Sequence, residues 1–375
     1  MESFKDSRGN WYNVRTESKL ATGGEGDIYD IDGRGWQVAK IIHANTPVAK
    51  VRRLSDKITK MENYYNSLGA DAKKIISRQI TWPEIALFDA NNNFRGYIMQ
   101  KVTGHETLDC AYSHSQNVKS NFSLKDKVLI ARNLCVAVNV LHHFHHVVVG
   151  DFNPRNILVS ISKATVYLVD ADSFHFQFTR NVNGRTITEL YPALVGRSEY
   201  LPKELVDYMK SQNAQLDNCP QPTFNRESDL FALAIHIFCL LMNGTHPFAV
   251  ANPAAKVQSV SSVDLSLHTN IAKGRYVYSK NPLKRAGYIP PEYAPPYSIL
   301  PDYLQEMFER AFVLKQPVRQ KGDNQYFSDP PLRPSAAEWY YALDNFYKSL
   351  KSCGRDSKHW YGSHLSECPW CKMKK

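Results

Sequence analysis

No stretch of this chain is long and apolar enough to span a bilayer. The longest nearly unbroken apolar run, Leu230 to Met242, is 13 residues and is interrupted by His236, whereas a spanning helix needs roughly 20. The opening MESFKDSRGNWYNV holds no apolar signal core, so a cytoplasmic protein that touches no membrane is expected. Cysteine is scarce, with seven in 375 residues; in a reducing compartment these thiols stay free, and no disulfide framework is expected. Internal repeats and low-complexity tracts are also lacking, which sets aside repeat architectures and disordered linkers.

What is present is a globular composition. An apolar content of 43% over 375 residues builds real cores, in one large domain or two ordinary ones. The formal charge is +10, yet Lys and Arg are spread along the chain rather than gathered into a block. Such a spread reads mainly as solvated surface; a phosphate-bearing ligand or an acidic protein fits it, and nucleic acid is possible but otherwise unsupported.

Up to about residue 105, short strand-like segments alternate with turns, broken by one helical pattern. In VRRLSDKITKMENYY, Val51, Leu54, Ile58, Met61 and Tyr65 recur at three- and four-residue steps, one face of a helix. Glu62 falls on or beside that face, where a carboxylate needs a cation. From about 123 onward helical patterns dominate, as in LKDKVLIARNLCVAVNVLHHFHH, SDLFALAIHIFCLLMNG, LPDYLQEMFERAF and SAAEWYYALDNFYKSL. Between the two parts GYIMQKVTGHETL reads as a strand running into a hinge, and 282 to 301 reads as a Pro-rich surface loop.

Several oddities carry chemistry. LATGGEGDIYDI sets Gly23, Gly24 and Gly26 between two strands, where missing side chains let backbone N–H groups approach phosphate oxygens; a plain glycine-rich hairpin is the competing reading. WQVAKII puts Lys40 inside an apolar strand, and Glu62 is its expected partner. VVVGDFNPRNILVS presents Asp151 and Asn156 in a turn between two apolar runs, where a plain structural turn competes with a catalytic loop, and VYLVDADSF ends a strand at Asp170. One carboxylate is then free to orient a hydroxyl, while Asn156 and Asp170 offer oxygen ligands to a hard ion such as Mg²⁺ or Mn²⁺. Together these are the parts for phosphoryl transfer from ATP.

From about residue 14 to about 350 the chain resembles the eukaryotic-type protein kinases, with VAK for the strand lysine, GDFNPRN for the catalytic loop and DAD in place of DFG. The resemblance implies an α+β, two-lobed kinase-like fold: a β-rich lobe over 1–102, a helical lobe over 103–350, and a separate Cys/His tail over 351–375. It implies that Asp151 is catalytic, with Lys40 and Asn153, and that Gly23, Gly24, Gly26, Lys40, Glu62, Gln100, Val102, Asn156 and Asp170 hold ATP, the last two through the metal. It further marks Glu204 in GRSEYLPKEL, Asp229 in ESDLFALAIHIFCLL, and Arg333 in LRPSAAEW as an ion-pair partner of Glu204.

The chain looks most like a bacterial branch of kinase domains encoded beside a von Willebrand A-type protein and a metal-dependent, PP2C-type phosphatase in tellurium-resistance-type systems. Those proteins and a protein substrate are the implied partners. Departures from the pattern bear on activity. Gly150 replaces the arginine that binds a phosphorylated activation loop, so such phosphorylation is not expected to be needed, although Thr179, Thr186, Thr188 and Ser198 remain acceptors. Asn153 replaces a lysine that contacts the transferred phosphoryl group; Ala21 stands at the first flap glycine and Asp172 at the last residue of DFG. A serine/threonine kinase acting on a partner or itself is the implied function, with a nucleotide-binding scaffold and a small-molecule kinase on the same fold left open.

The end of the chain, CGRDSKHWYGSHLSECPWCKMKK, offers Cys353, His359, Cys368 and Cys371 as ligands of a structural Zn²⁺, with His364 as the substitute for His359. A redox Cys-x-x-Cys and loose surface thiols are the competing readings. His142, His143, His145 and His146 mark the polar end of a helix, where cationic side chains suit the C-terminal dipole, with a metal cluster as the competing reading.

Overall fold

The computed structural model describes residues 1–112, 122–160, 162–215, 218, 224–252, 264–285, 287–314 and 331–373. Cys219 lies outside these residues. In chain order the first elements are β1 (Glu2–Lys5), β2 (Trp11–Thr22), β3 (Gly26–Ile31), β4 (Gln37–Ile42), α1 (Val48–Ser67), α2 (Ala70–Ser77), β5 (Ile85–Phe88), β6 (Phe94–Gln100) and β7 (His105–Thr107). Next come α3 (Leu124–Asn139), β8 (Ile157–Ser160), β9 (Val166–Leu168), β10 (Phe176–Val182), β11 (Arg185–Tyr191), α4 (Lys203–Ser211) and α5 (Arg226–Leu241). The chain ends with α6 (Leu267–Ala272), α7 (Pro282–Arg285), α8 (Asp302–Phe312), α9 (Ala336–Ser349), β12 (Leu350–Ser352), β13 (Trp360–Gly362) and α10 (Pro369–Met373). Two compact units result: Met1–His105 with Tyr167–Tyr191, and Glu106–Val166 with Pro192–Lys375.

The expected two-lobed kinase-like fold is corrected here. In place of a small β-rich lobe the chain forms a closed antiparallel barrel in the order β1-β2-β3-β4-β6-β5, accompanied by short separate sheets. The physical cause is β1, four residues too short to show a strand pattern in the sequence. It pairs with β2 through Phe4↔Tyr12 and meets β5 at Lys5↔Phe88, so the sheet closes and keeps no open edge.

Strand parity then sorts the side chains. Phe4, Tyr12, Val14, Ile31, Ala39, Ile41, Leu87 and Ile98 form one apolar core. Because side chains alternate along a strand, Lys40 stands on the opposite face of β4 from Ala39 and Ile41. Its cross-strand partner in β6 is Tyr97, on that same face. All six residues of β4 are buried, so this outer face is covered as well. Gly96 permits the close approach of β6: a Cβ there would lie 2.0 Å from the Lys40 carbonyl oxygen.

In the second unit three helices begin with capping boxes, Ser123 with Asp126 for α3, Asn225 with Ser228 for α5, and Ser335 with Glu338 for α9. Helix α5 is buried from Ser228 through Leu241, as its nearly all-apolar sequence requires. Helix α3 runs into a π-helical turn, Val140–His145, which ends at His146 in a left-handed conformation. The side chain of His145 lies outside the described residues. Within 282 to 301 the structure places the short α7 and a 3₁₀ turn, Tyr297–Ile299. No helix among the described residues is long and apolar enough to cross a membrane.

Candidate active site and metal centre

Strand β4 carries Lys40 on the barrel's outer face, and the segment after β9 brings two carboxylates to it. The Lys40 ammonium donates to Asp170 Oδ1 at 2.6 Å and to Asp172 Oδ1 and Oδ2 at 3.0 and 2.7 Å. Tyr97 donates its hydroxyl to Asp172 Oδ1 at 2.8 Å. Burial alone works to neutralise Lys40, but Asp172, and less strongly Asp170, outweigh it and hold the ammonium charged. Asp170 is pushed up to about 6 by burial and by the charge of Asp172 beside it. Burial acts in the same direction on Asp172, yet Lys40 and the Tyr97 hydroxyl prevail and keep it ionised. Asp170 also adopts φ +63°, a left-handed conformation that Asp tolerates better than most residues.

The expected pairing of Lys40 with Glu62 does not form. Glu62 Oε2 instead accepts the Ala86 N–H of β5 at 3.0 Å. The buried stripe of α1 is Leu54, Lys57, Ile58 and Met61, so the charged group on it is Lys57. Lys57 donates to the carbonyl oxygens of Asp172 at 2.6 Å and Phe174 at 2.5 Å. Burial lowers its pKa to about 8.

The glycine-rich segment is a hairpin between β2 and β3, closed by the Gly23 N–H donating to the Gly26 carbonyl at 2.9 Å. A Cβ on Gly26 would lie 2.5 Å from the Ile41 carbonyl oxygen, so the third glycine is fixed by packing, whereas Gly24 borders open space. Gln100 ends β6 opposite Gln37, and Val102, half-buried, lies just beyond the strand.

In the helical unit the segment 147 to 156 is tied down from below. Asp229, in the first turn of α5, accepts the N–H groups of Val149 and Gly150 at 2.7 and 3.0 Å and meets His142 Nε2 at 2.9 Å. His236, one face further along α5, donates from Nε2 to the Phe152 carbonyl at 3.0 Å and receives the Tyr112 hydroxyl on Nδ1 at 2.5 Å. On this frame Asn156 donates to the Asp151 carbonyl at 2.9 Å and to Asp151 Oδ2 at 3.3 Å. Asp151 Oδ1 is enclosed and has no hydrogen-bond partner among the described residues. Asn153 turns its side-chain oxygen to the Arg155 N–H at 3.0 Å, capping the 3₁₀ turn Pro154–Asn156. Arg333, 2% exposed, pairs with Glu204 at 2.6 Å.

At the end of the chain β12 and β13 form a hairpin, Leu350↔Gly362 to Ser352↔Trp360, that brings Cys353 beside His359. The ligand atoms of Cys353, His359, Cys368 and Cys371 all lie within 4.8 Å of one another. Cys353 and Cys371 Sγ are 3.6 Å apart, and His359 Nδ1 lies 3.5 and 3.7 Å from Cys371 and Cys368 Sγ. Asp356 meets the other ring nitrogen of His359 at 3.4 Å, where a carboxylate orients an imidazole ligand. His364 is directed elsewhere, to the Ser298 carbonyl at 3.2 Å.

No family model matches the chain. Over 364 residues, 95% of its length, it is 30% identical to Protein kinase YegI of Escherichia coli K12. The protein of the same name from Escherichia coli O157:H7 matches with the same identity and coverage. The similarity supports a kinase-like family. The match takes in 48% of each relative, so the chain spans about half the length of the curated relatives it matches.

Sequence reasoning missed three members of the Lys40 cluster: Asp172, Lys57 and Tyr97. A signal for Lys57 was present, since it falls three residues after Leu54 on the apolar stripe of α1. For Tyr97 the signal is the register of β4 and β6, which the sequence does not show.

Proposed function

We propose that the chain is an ATP- and Mg²⁺-dependent kinase that transfers the γ-phosphoryl group to a serine or threonine hydroxyl of a protein. The observation that carries this reading is Asp151: one carboxylate oxygen is held by Asn156 and the other is an enclosed acceptor without a partner among the described residues. An orphaned acceptor costs about 1–3 kcal/mol, so a carboxylate kept in that state has a use beyond packing. Asp151 orients the acceptor hydroxyl and takes its proton as the hydroxyl oxygen bonds to phosphorus and ADP leaves.

Lys40 supplies a fixed positive charge for phosphate oxygens. Asp170 is a proposed Mg²⁺ ligand, and its oxygen donors suit a hard cation. Asp170 is the more open of the two Lys40 partners, at 36% side-chain exposure against 1% for Asp172. Mg²⁺, when bound, supplies neutralisation of phosphate charge. The similarity to a protein kinase supports the same reading. Cys353, His359, Cys368 and Cys371 fit a structural Zn²⁺: three thiolates and one imidazole make a closed tetrahedral set, and the 3.6 Å sulfur separation suits Zn–S bonds of about 2.3 Å.

The test is turnover of γ-labelled ATP with Mg²⁺. Asp170→Asn keeps the residue's size and its tolerance of the left-handed conformation, and it should abolish turnover without loss of folding. Equal activity in variant and parent would reject the site.

A further inference from the structure

We propose that Asp172, held in place by Lys57, is the positioning residue for Lys40, the part that the sequence offers to Glu62. Three separate contacts converge on it. Both carboxylate oxygens of Asp172 accept from Lys40, one of them also accepts from Tyr97, and the backbone carbonyl accepts from Lys57 of α1. Lys57 grips the Phe174 carbonyl as well, so one ammonium fixes the turn Ala171–Ser173 from its far side. Glu62 has no hydrogen bond or ion pair to Lys40; its Oε2 accepts the Ala86 N–H of β5 instead.

The two aspartates therefore divide the work. Asp172, with 1% side-chain exposure, is a permanent anchor; Asp170, with 36%, can exchange Lys40 for another cation while Asp172 keeps the lysine in place. Helix α1 communicates with Lys40 through a lysine and a backbone carbonyl, not through a glutamate. The charged group of the helix in this network is a lysine, and the carboxylate that holds Lys40 comes from the DAD segment. The catalytic consequence rests on the proposed kinase reading; the pairing itself does not.

Two measurements separate them. The first uses nucleotide-free protein given a brief acetic anhydride pulse, with the labelling of Lys40 read by peptide mass spectrometry. Asp172→Asn should raise Lys40 labelling by roughly an order of magnitude as its buried anchor is lost, and Glu62→Gln should leave it within about twofold of the parent. Tyr97→Phe, which keeps the ring and removes one donor to Asp172, should give a smaller rise and carries the test if Asp172→Asn does not fold. Lys57→Met should speed amide exchange over residues 171–175. Increased labelling in Glu62→Gln, or none in the folded Asp172 and Tyr97 variants, would overturn the assignment.

The second measurement is steady-state ATP turnover. Asp172→Asn should lower kcat at saturating ATP by about tenfold or more, Asp172→Glu should recover part of it, and Glu62→Gln should stay near the parent. If labelling behaves as expected but the parent transfers no phosphoryl group, the kinase reading fails and the pairing stands. If the parent is active and kcat depends on Glu62 rather than on Asp172, the positioning role is refuted and the kinase reading stands.

Discussion

Residue 150 requires glycine for two independent reasons. Its φ is +74°, and a Cβ would lie 2.4 Å from the Ala193 Cβ. The absence of an arginine there is thus a local packing requirement in this structure as well as a missing charge. Gly150→Ala should cost about 1–3 kcal/mol through strain and crowding, measured as a lower urea midpoint; an unchanged midpoint would contradict the packing. Lys40 was legible in the sequence because a lysine within an apolar strand is anomalous. Its partner was not, because parity and register, rather than proximity in sequence, place Tyr97 and Asp172 around it. Lys57 was passed over because lysines on helices usually reach solvent.

Buried histidines give the same scale a pH signature. Burial lowers His236 to about 3 and His246 to about 4. Burial is what keeps His236 neutral, against the pull of its hydrogen bond to the Phe152 carbonyl. Since both folded values lie below the ordinary 6.5, the unfolded chain binds more protons between about 4 and 6.5. Stability is then complete above about 6.5 and falls on acidification by up to about 1.4 kcal/mol per pH unit for each histidine. Denaturant midpoints at pH 7 and 5 check this, and a midpoint independent of pH would contradict it.

At the scale of elements, the long helices were legible from helical patterns such as SDLFALAIHIFCLLMNG and SAAEWYYALDNFYKSL, whereas the capping boxes at Ser123 and Ser335 became visible only in the structure. Barrel closure was not, because it depends on four residues of β1 whose role exists only once β5 lies beside them. The tail shows both sides of this. Spacing within CPWC announced a ligand set, but the choice between His359 and His364 is made by the β12–β13 hairpin and by Ser298. A segment this short has little apolar surface, so a bound metal would supply much of its stability. Purified protein should contain one equivalent of zinc, and Cys368→Ser should release it and leave the residues after about 350 protease-sensitive while ATP turnover persists. Protein purified without chelators and free of zinc would refute the site.

For the whole molecule, similarity over 95% of the chain to a protein kinase accompanies an architecture with a closed barrel in place of the expected small lobe. The proposed function, transfer of a phosphoryl group, is therefore tested by chemistry rather than by fold. The most direct measurement is transfer of label from γ-labelled ATP, with Mg²⁺, to a generic protein acceptor or to the chain itself, run beside Asp170→Asn. The parent should yield phosphoserine or phosphothreonine, and the variant only background label. Label absent from protein with the parent, or equal in the two, would contradict it.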